Sequence, residues 1–474
     1  MNKEQLSDAI GRVEDSLVVK TVPRRKKRNW WIGAVAAAAC IAIGAGAVLL
    51  PNRRPAAGLP GSVRTLALAV YPPELTEPEQ DDEGNYTDPQ AGEDWWDRCW
   101  ENDRRAADTV PSLSAYQTAV TRQFLSDRNG ENRVMSPLNL YMALGMLAEC
   151  TDGDSRSQIL QLLGADTAEQ LRQRVNALWL AEYRDSRRGV CRLANSLWLR
   201  QGGGYRQKTL DTLAKDYFAS SFSGKMGSDG YNQSLRGWLN QQTGGLLKQA
   251  ADAVELQERT VIALASTVYF SARWSYEFDP ANTVSDVFHT AKGDVTCDYL
   301  RQENWDTDVY SGEGFRALSL EFGADSCRMW FVLPDEDVSP DTLLASGAWL
   351  GDMGEGQTSR VSLRVPKFDV SGDMDLAAGL QALGVTEVFD EERADFSPLS
   401  DDGGCLTRIQ HAARVMVDEE GCTAAAFTVE LKDGSMTPKD PPRVDFHLDR
   451  PFLFYITGDT GNVLFAGVVE QPQG

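Results

Sequence analysis

Val417-Asp418-Glu419-Glu420-Gly421-Cys422-Thr423-Ala424-Ala425-Ala426 reads as a charged, turn-prone hinge followed by small side chains. Close-packed interiors tolerate little extra volume, so a segment that slips between two strands needs side chains that clear their neighbours. The run after Gly421 meets that demand; a surface loop that is merely Ala-rich is the plainer alternative. To either side, 361–368 and 450–469 carry strand signals, the second stretch turning at 458–461. Leu138, Met142, Met146 and Leu147 recur with helical spacing. From residue 113 onward helix and strand periods mix without a repeated unit, which predicts an α+β fold and not a doubly wound sheet.

The N-terminal quarter has a different composition. Residues 1–29 are polar and end in Arg24, Arg25, Lys26, Lys27 and Arg28; residues 30–50 then carry no charge. A helix of that length rises far enough to cross about 30 Å of hydrocarbon, with Trp30 and Trp31 at the interface. The basic flank predicts a cytoplasmic N-terminus, a single-pass span over 30–50 in the lipid bilayer, and everything beyond Pro51 outside the cell. A cleaved leader and a lipid-modified Cys40 are the alternatives, but the leader is long and Cys40 lies mid-segment. Residues 51–111 are acidic and Pro-containing, which predicts a self-repelling spacer. Trp95, Trp96 and Trp100 interrupt it, placed to dock on the folded domain or on a partner.

A net charge of -22 repels phosphates, so nucleic acid is not an expected partner. The eight cysteines form no Cys-x-x-Cys pair, and the acidic run lacks the spacing of a calcium loop; no metal or other cofactor is expected. With three histidines and neither Gly-x-Ser-x-Gly nor His-Glu-x-x-His, the chain offers no hydrolytic triad.

A series of segments carries a family resemblance. In order they are Ser136-Pro137-Leu138-Asn139-Leu140, Ala194-Asn195-Ser196-Leu197-Trp198, Thr267-Val268-Tyr269-Phe270 leading to Trp274, and Trp330-Phe331-Val332-Leu333-Pro334. Val365-Pro366-Lys367-Phe368, Ala394-Asp395-Phe396-Ser397, His411 before the hinge, and Arg450-Pro451-Phe452-Leu453-Phe454 complete it. Together they resemble the serpins over about residues 112 to 471, giving a domain at 112–474. The flanking anchor and spacer look like the extensions of some prokaryotic surface serpins.

The resemblance implies three β-sheets with eight or nine helices, an exposed reactive-centre loop and a metastable native state. It also implies a monomeric suicide inhibitor, not an enzyme: a protease cleaves the loop, forms an acyl-enzyme and is trapped when the loop inserts into the central sheet. Glu420, Gly421, Cys422, Thr423, Ala424, Ala425 and Ala426 correspond to the hinge. Spacing from Gly421 puts the scissile bond at Ser435 and spacing back from Pro451 at Thr437, with Met436 between. These uncharged residues suit an elastase-like or subtilisin-like serine protease, or a papain-like cysteine protease. Ser136, Asn139, Ser266 and His411 correspond to the region where the central strands part, with Asn139 and Ser266 exchanging the family's usual hydroxyl and amide as expected partners of His411. Trp274 corresponds to the top of that sheet. Cys422 and Thr423 depart from the family's preference, and alternation from Cys422 turns Glu430 inward. That leaves a non-inhibitory serpin, cleaved as a substrate or serving as a surface binding protein, as the alternative.

Overall fold

A computed structural model describes residues 63–72, 76–81, 84–186, 189–323, 326–351, 353–406, 409–422 and 441–472. The expected span at 30–50, the hinge residues Thr423, Ala424, Ala425 and Ala426, Glu430, and the bond candidates Ser435, Met436 and Thr437 lie outside them. Among the described residues no helix is long and apolar enough to cross a membrane.

The seven strands that frame the site are β1 (Val63–Ala67), β2 (Gly189–Arg200), β3 (Ala219–Gly224), β4 (Ile262–Arg273), β5 (Phe368–Asp375), β6 (Gln410–Val417) and β7 (Gly421–Cys422). A six-stranded sheet runs β1-β3-β2-β4-β7, with Arg184–Asp185 paired to β2. β5 and β6 form a separate antiparallel pair. The third sheet has nine strands. Within it Phe452–Thr457 and Val463–Val469 form the expected hairpin, closed by the bond from Gly458 N–H to the Asn462 carbonyl. The architecture is the expected α+β, with three sheets and, within the described part of 112–472, nine α-helices.

Helix α2 (Pro137–Cys150) shows how the sequence builds the centre. Ser136 caps it, its Oγ accepting the Asn139 N–H at 3.1 Å, and Pro137 follows at the first helical position, where its missing N–H costs nothing. Nearly every residue of α2 is buried, so the apolar face expected from Leu138, Met142, Met146 and Leu147 becomes a wholly internal helix.

The expected acidic spacer at 51–111 needs correction wherever it is described. β1 pairs with β3 and widens the six-stranded sheet by one strand. Helix α1 (Pro89–Thr109) starts at an Asp88 cap and buries Trp95, Cys99 and Ala106. Ala106 meets Ala177 and Ala181 of α3 (Ala168–Glu182), Arg184 bonds Asp103 at 2.8 Å, and Tyr71 stacks on Trp179. The acids sit on the solvent side of a one-sided helix whose mean composition conceals its apolar stripe. Trp95 is buried, whereas Trp100 is exposed.

Candidate functional site

The hinge is tied down at the end of β4. Gly421 lies opposite Arg273 and Cys422 opposite Ala272 in antiparallel register. A Cβ at Gly421 would stand 2.3 Å from the Ala272 carbonyl oxygen, so only glycine permits this approach. Asp418 folds the turn, its Oδ1 accepting the N–H groups of Glu420 at 3.0 Å and Gly421 at 3.1 Å.

Trp274 holds the turn from above. Its backbone N–H donates to the Glu420 carbonyl at 3.1 Å and its indole N–H to the Asp418 carbonyl at 3.0 Å. The ring is buried and stacked on Phe322, 4.7 Å between centroids. Glu419 lies within reach of Lys367 Nζ (2.8 Å) and the Thr283 hydroxyl (2.8 Å). Burial alone would raise the Glu419 carboxyl, but the bonds from Lys367 and Thr283 hold it below its ordinary value. Arg273 pairs with both Glu277 and Glu420. Sequence spacing gave no hint of these contacts, because Lys367 and Glu419 are far apart in the chain; only the folded sheet joins them.

Below the hinge, β4 and β6 share no ladder among the described residues. The bond at Trp274 fixes the parity of β4: alternate residues from Ala272 through Phe270, Val268 and Ser266 to Leu264 turn their backbone groups toward β6. Among the described residues the ladder is therefore broken between the free edge of β4 and β6, and this break, headed by β7, is the slot.

Ser136, Asn139, Ser266 and His411 do come together under this slot, but with other bonds than expected. Asn139 Nδ2 donates to the Ser266 carbonyl at 3.0 Å, one of the slot-facing groups. The Ser266 hydroxyl donates away from the slot, to Asn195 Oδ1 at 2.7 Å. His411 Nε2 accepts the backbone N–H of Ser136 at 3.0 Å and bonds neither the Asn139 amide nor the Ser266 hydroxyl. Burial without a counter-charge pushes His411 down to about 4, so the ring is neutral with its proton on Nδ1. A cavity of about 20 Å³ beside Asn139, Ser266, Leu264 and His411 has room for one water. Asn139 Oδ1 is buried there without a partner.

The turn, the break in the ladder and the buried polar cluster beneath it thus lie along one edge of β4. The family model "Serpin (serine protease inhibitor)" matches residues 112–472. Serpin-Z1A of Triticum aestivum is 28% identical over 360 residues, covering 72% of this chain and 90% of its own. Neuroserpin of Gallus gallus is 26% identical over 389 residues, 77% of this chain and 92% of its own. Among solved structures, the thermophilic serpin tengpin in its native state superposes with a TM-score of 0.67 at 22% identity, over 76% of this chain and 93% of that one.

Proposed function

The chain belongs to the serpin family, and on that premise we propose that it is a suicide inhibitor of a serine or papain-like cysteine protease. The protease nucleophile attacks the scissile carbonyl within Ser435-Met436-Thr437-Pro438, the amine half leaves, and the acyl-enzyme ester or thioester persists while the N-terminal half of the cut loop enters the slot. One observation carries the reading: Gly421 and Cys422 are already paired with β4 at the head of a slot between β4 and β6.

The register of that pairing can be continued. One residue forward from Cys422 meets one residue back from Ala272, so Ala424 would fall opposite Phe270, Ala426 opposite Val268 and Thr428 opposite Ser266. Cys422, Ala272, Phe270 and Val268 belong to the main core, and small residues are what that face accepts. Thr428 would replace Asn139 as the partner of the Ser266 backbone and bring a hydroxyl toward the orphaned Asn139 Oδ1.

The uncharged bond candidates favour an elastase-like or subtilisin-like target. We further propose display outside a cell membrane, supported by the basic flank and the uncharged run 30–50. The test is to incubate the purified full chain with elastase, subtilisin and papain. A complex that survives denaturing electrophoresis, with a cut between Ser435 and Pro438, is the expected result. Turnover cleavage without any complex would reject it and leave the second reading, a substrate-like serpin. That reading is favoured by one residue: in the same register Glu430 falls opposite Leu264, on the core side.

A further inference from the structure

The slot has a roof. Helix α4 (Asp229–Gln242) lies on the outer face of the six-stranded sheet and packs Leu235 and Trp238 with Trp198 and Phe222. The chain leaves it through Thr243-Gly244-Gly245-Leu246-Leu247, then α5 (Lys248–Ala253), before entering β4. These segments cover a chamber of about 310 Å³ whose lining runs from Leu239 and Leu247 across Ala263 and Ala265 to Asp375 and Ala412 on the opposite wall. At Gly244 a Cβ would lie 3.4 Å from the Tyr269 ring, so the roof rests on β4 at that level.

From the opposite wall, Arg414 of β6 reaches back to the same loop. Its Nη1 donates to the Leu246 carbonyl at 3.1 Å. Its Nε and Nη2 clasp the Asp369 carboxylate of β5 at 2.8 and 2.5 Å, a bidentate bond that fixes the plane of the guanidinium. The side chain thus ties the far wall to the roof loop. His411, three residues earlier on β6, shares the lining of the small cavity with Ser266, and Tyr269 lies opposite the place of Ala425 in the continued register, three residues beyond the last described pair.

We infer that Arg414 is a latch that joins the far wall of the slot to its roof and sets how fast the cleaved loop enters. This rests on the reading of the chain as an inserting inhibitor. A fragment that carries a protease at its end cannot thread lengthwise under the roof; it enters from the outer face, and every residue after Ala425 has to displace the bond from Arg414 to Leu246. Insertion competes with release of the protease, so the latch tunes partition between trapping and turnover and does not touch the cleavage chemistry. Arg414 is a positioning residue in this role.

The experiment uses full-length protein and two variants, Arg414→Met, which keeps the length of the side chain without its donors, and Asp369→Asn, which loosens its orientation. Loop cleavage rate, stoichiometry of trapping and the rate at which clipped protein gains heat resistance are measured side by side. Arg414→Met is expected to insert roughly fivefold faster, about 1 kcal/mol in the barrier, and to need fewer molecules per protease trapped, with cleavage unchanged. Asp369→Asn should move the same way by less. If Arg414→Met folds and is cleaved normally but keeps the wild-type insertion rate and stoichiometry, or merely melts earlier, the latch is refuted. If clipped wild-type protein gains no heat resistance at all, the inserting reading falls first and the latch with it, a result separable from the former.

Discussion

Lys367 Nζ lies 2.8 Å from Glu419 Oε2, and the Thr283 hydroxyl donates to Oε1 at the same distance, so a strand end, a loop and the hinge turn meet at one carboxylate. Glu419 is the residue from which the turn into Gly421 is hung, since its own carbonyl also accepts the Phe278 N–H at 3.0 Å.

Reversing its charge sets two ammonium groups against each other at a partly buried point. Glu419→Lys is expected to cost about 2 kcal/mol in native stability and to speed amide hydrogen exchange at Gly421 and Cys422. Adding Lys367→Glu should recover most of the loss. If the double variant is no better than the single one, the pair does not hold the hinge.

His411 makes the slot sensitive to acid. Its value is depressed from the ordinary 6.5 to about 4 by burial. Between those values the unfolded chain takes up a proton that the folded chain refuses, so the stabilising contribution is complete above about 6.5 and shrinks as pH falls toward about 4. From pH 7 to pH 5 the loss should approach about 2 kcal/mol, seen as a lower unfolding midpoint in urea. His411→Gln, which retains an acceptor for the Ser136 N–H, should flatten that difference. An unchanged pH dependence in the variant would assign the effect to other groups.

The helix Pro89–Thr109 is a structural part of the body, and substituting its tryptophans tests that. Trp95 is 3% exposed and meets Trp96 edge to face at 4.8 Å. Trp95→Ala should cost about 3 kcal/mol, while Trp100→Ala, on the solvent side, should stay within about 0.5 kcal/mol. Equal, negligible effects would restore the picture of a spacer.

The contrast between those two tryptophans shows where the sequence was legible. Family segments such as Ser136-Pro137 and Val365-Pro366-Lys367-Phe368 placed the central helix and strands, because each couples a local signal, a cap or an alternating run, to its burial. In α1 the apolar positions are few and diluted by acids, so composition pointed to a spacer although Trp95, Cys99 and Ala106 share one helical face. For His411 the right neighbours were legible but not the bonds: whether Ser136, Asn139 or Ser266 takes the ring depends on which way backbone groups turn, and that follows from the register of β4. Arg414 gave no signal, since its partner is the Leu246 carbonyl and any residue supplies one.

The register also yields a prediction for Glu430 as a limit on trapping. On the proposed insertion, continuing the pairing of Gly421 and Cys422 would put the carboxylate opposite Leu264, which lines a cavity with Leu140, Leu144 and Leu147 of α2 and Leu376. A lone carboxylate there would cost several kcal/mol or take up a proton, and in the same continued register Lys432 would follow two residues on, opposite Ile262. Insertion should therefore run easily through Ala424, Ala426 and Thr428 and slow at Glu430. Glu430→Val removes the carboxylate and keeps a strand former; it is expected to raise the trapped fraction at least severalfold with no change in cleavage rate, measured as complex against cleaved protein on denaturing gels. Should the variant trap no better than wild type while its cut loop still inserts, Glu430 reaches solvent or pairs with Lys432, and the brake on insertion lies higher in the slot, at the level of Arg414.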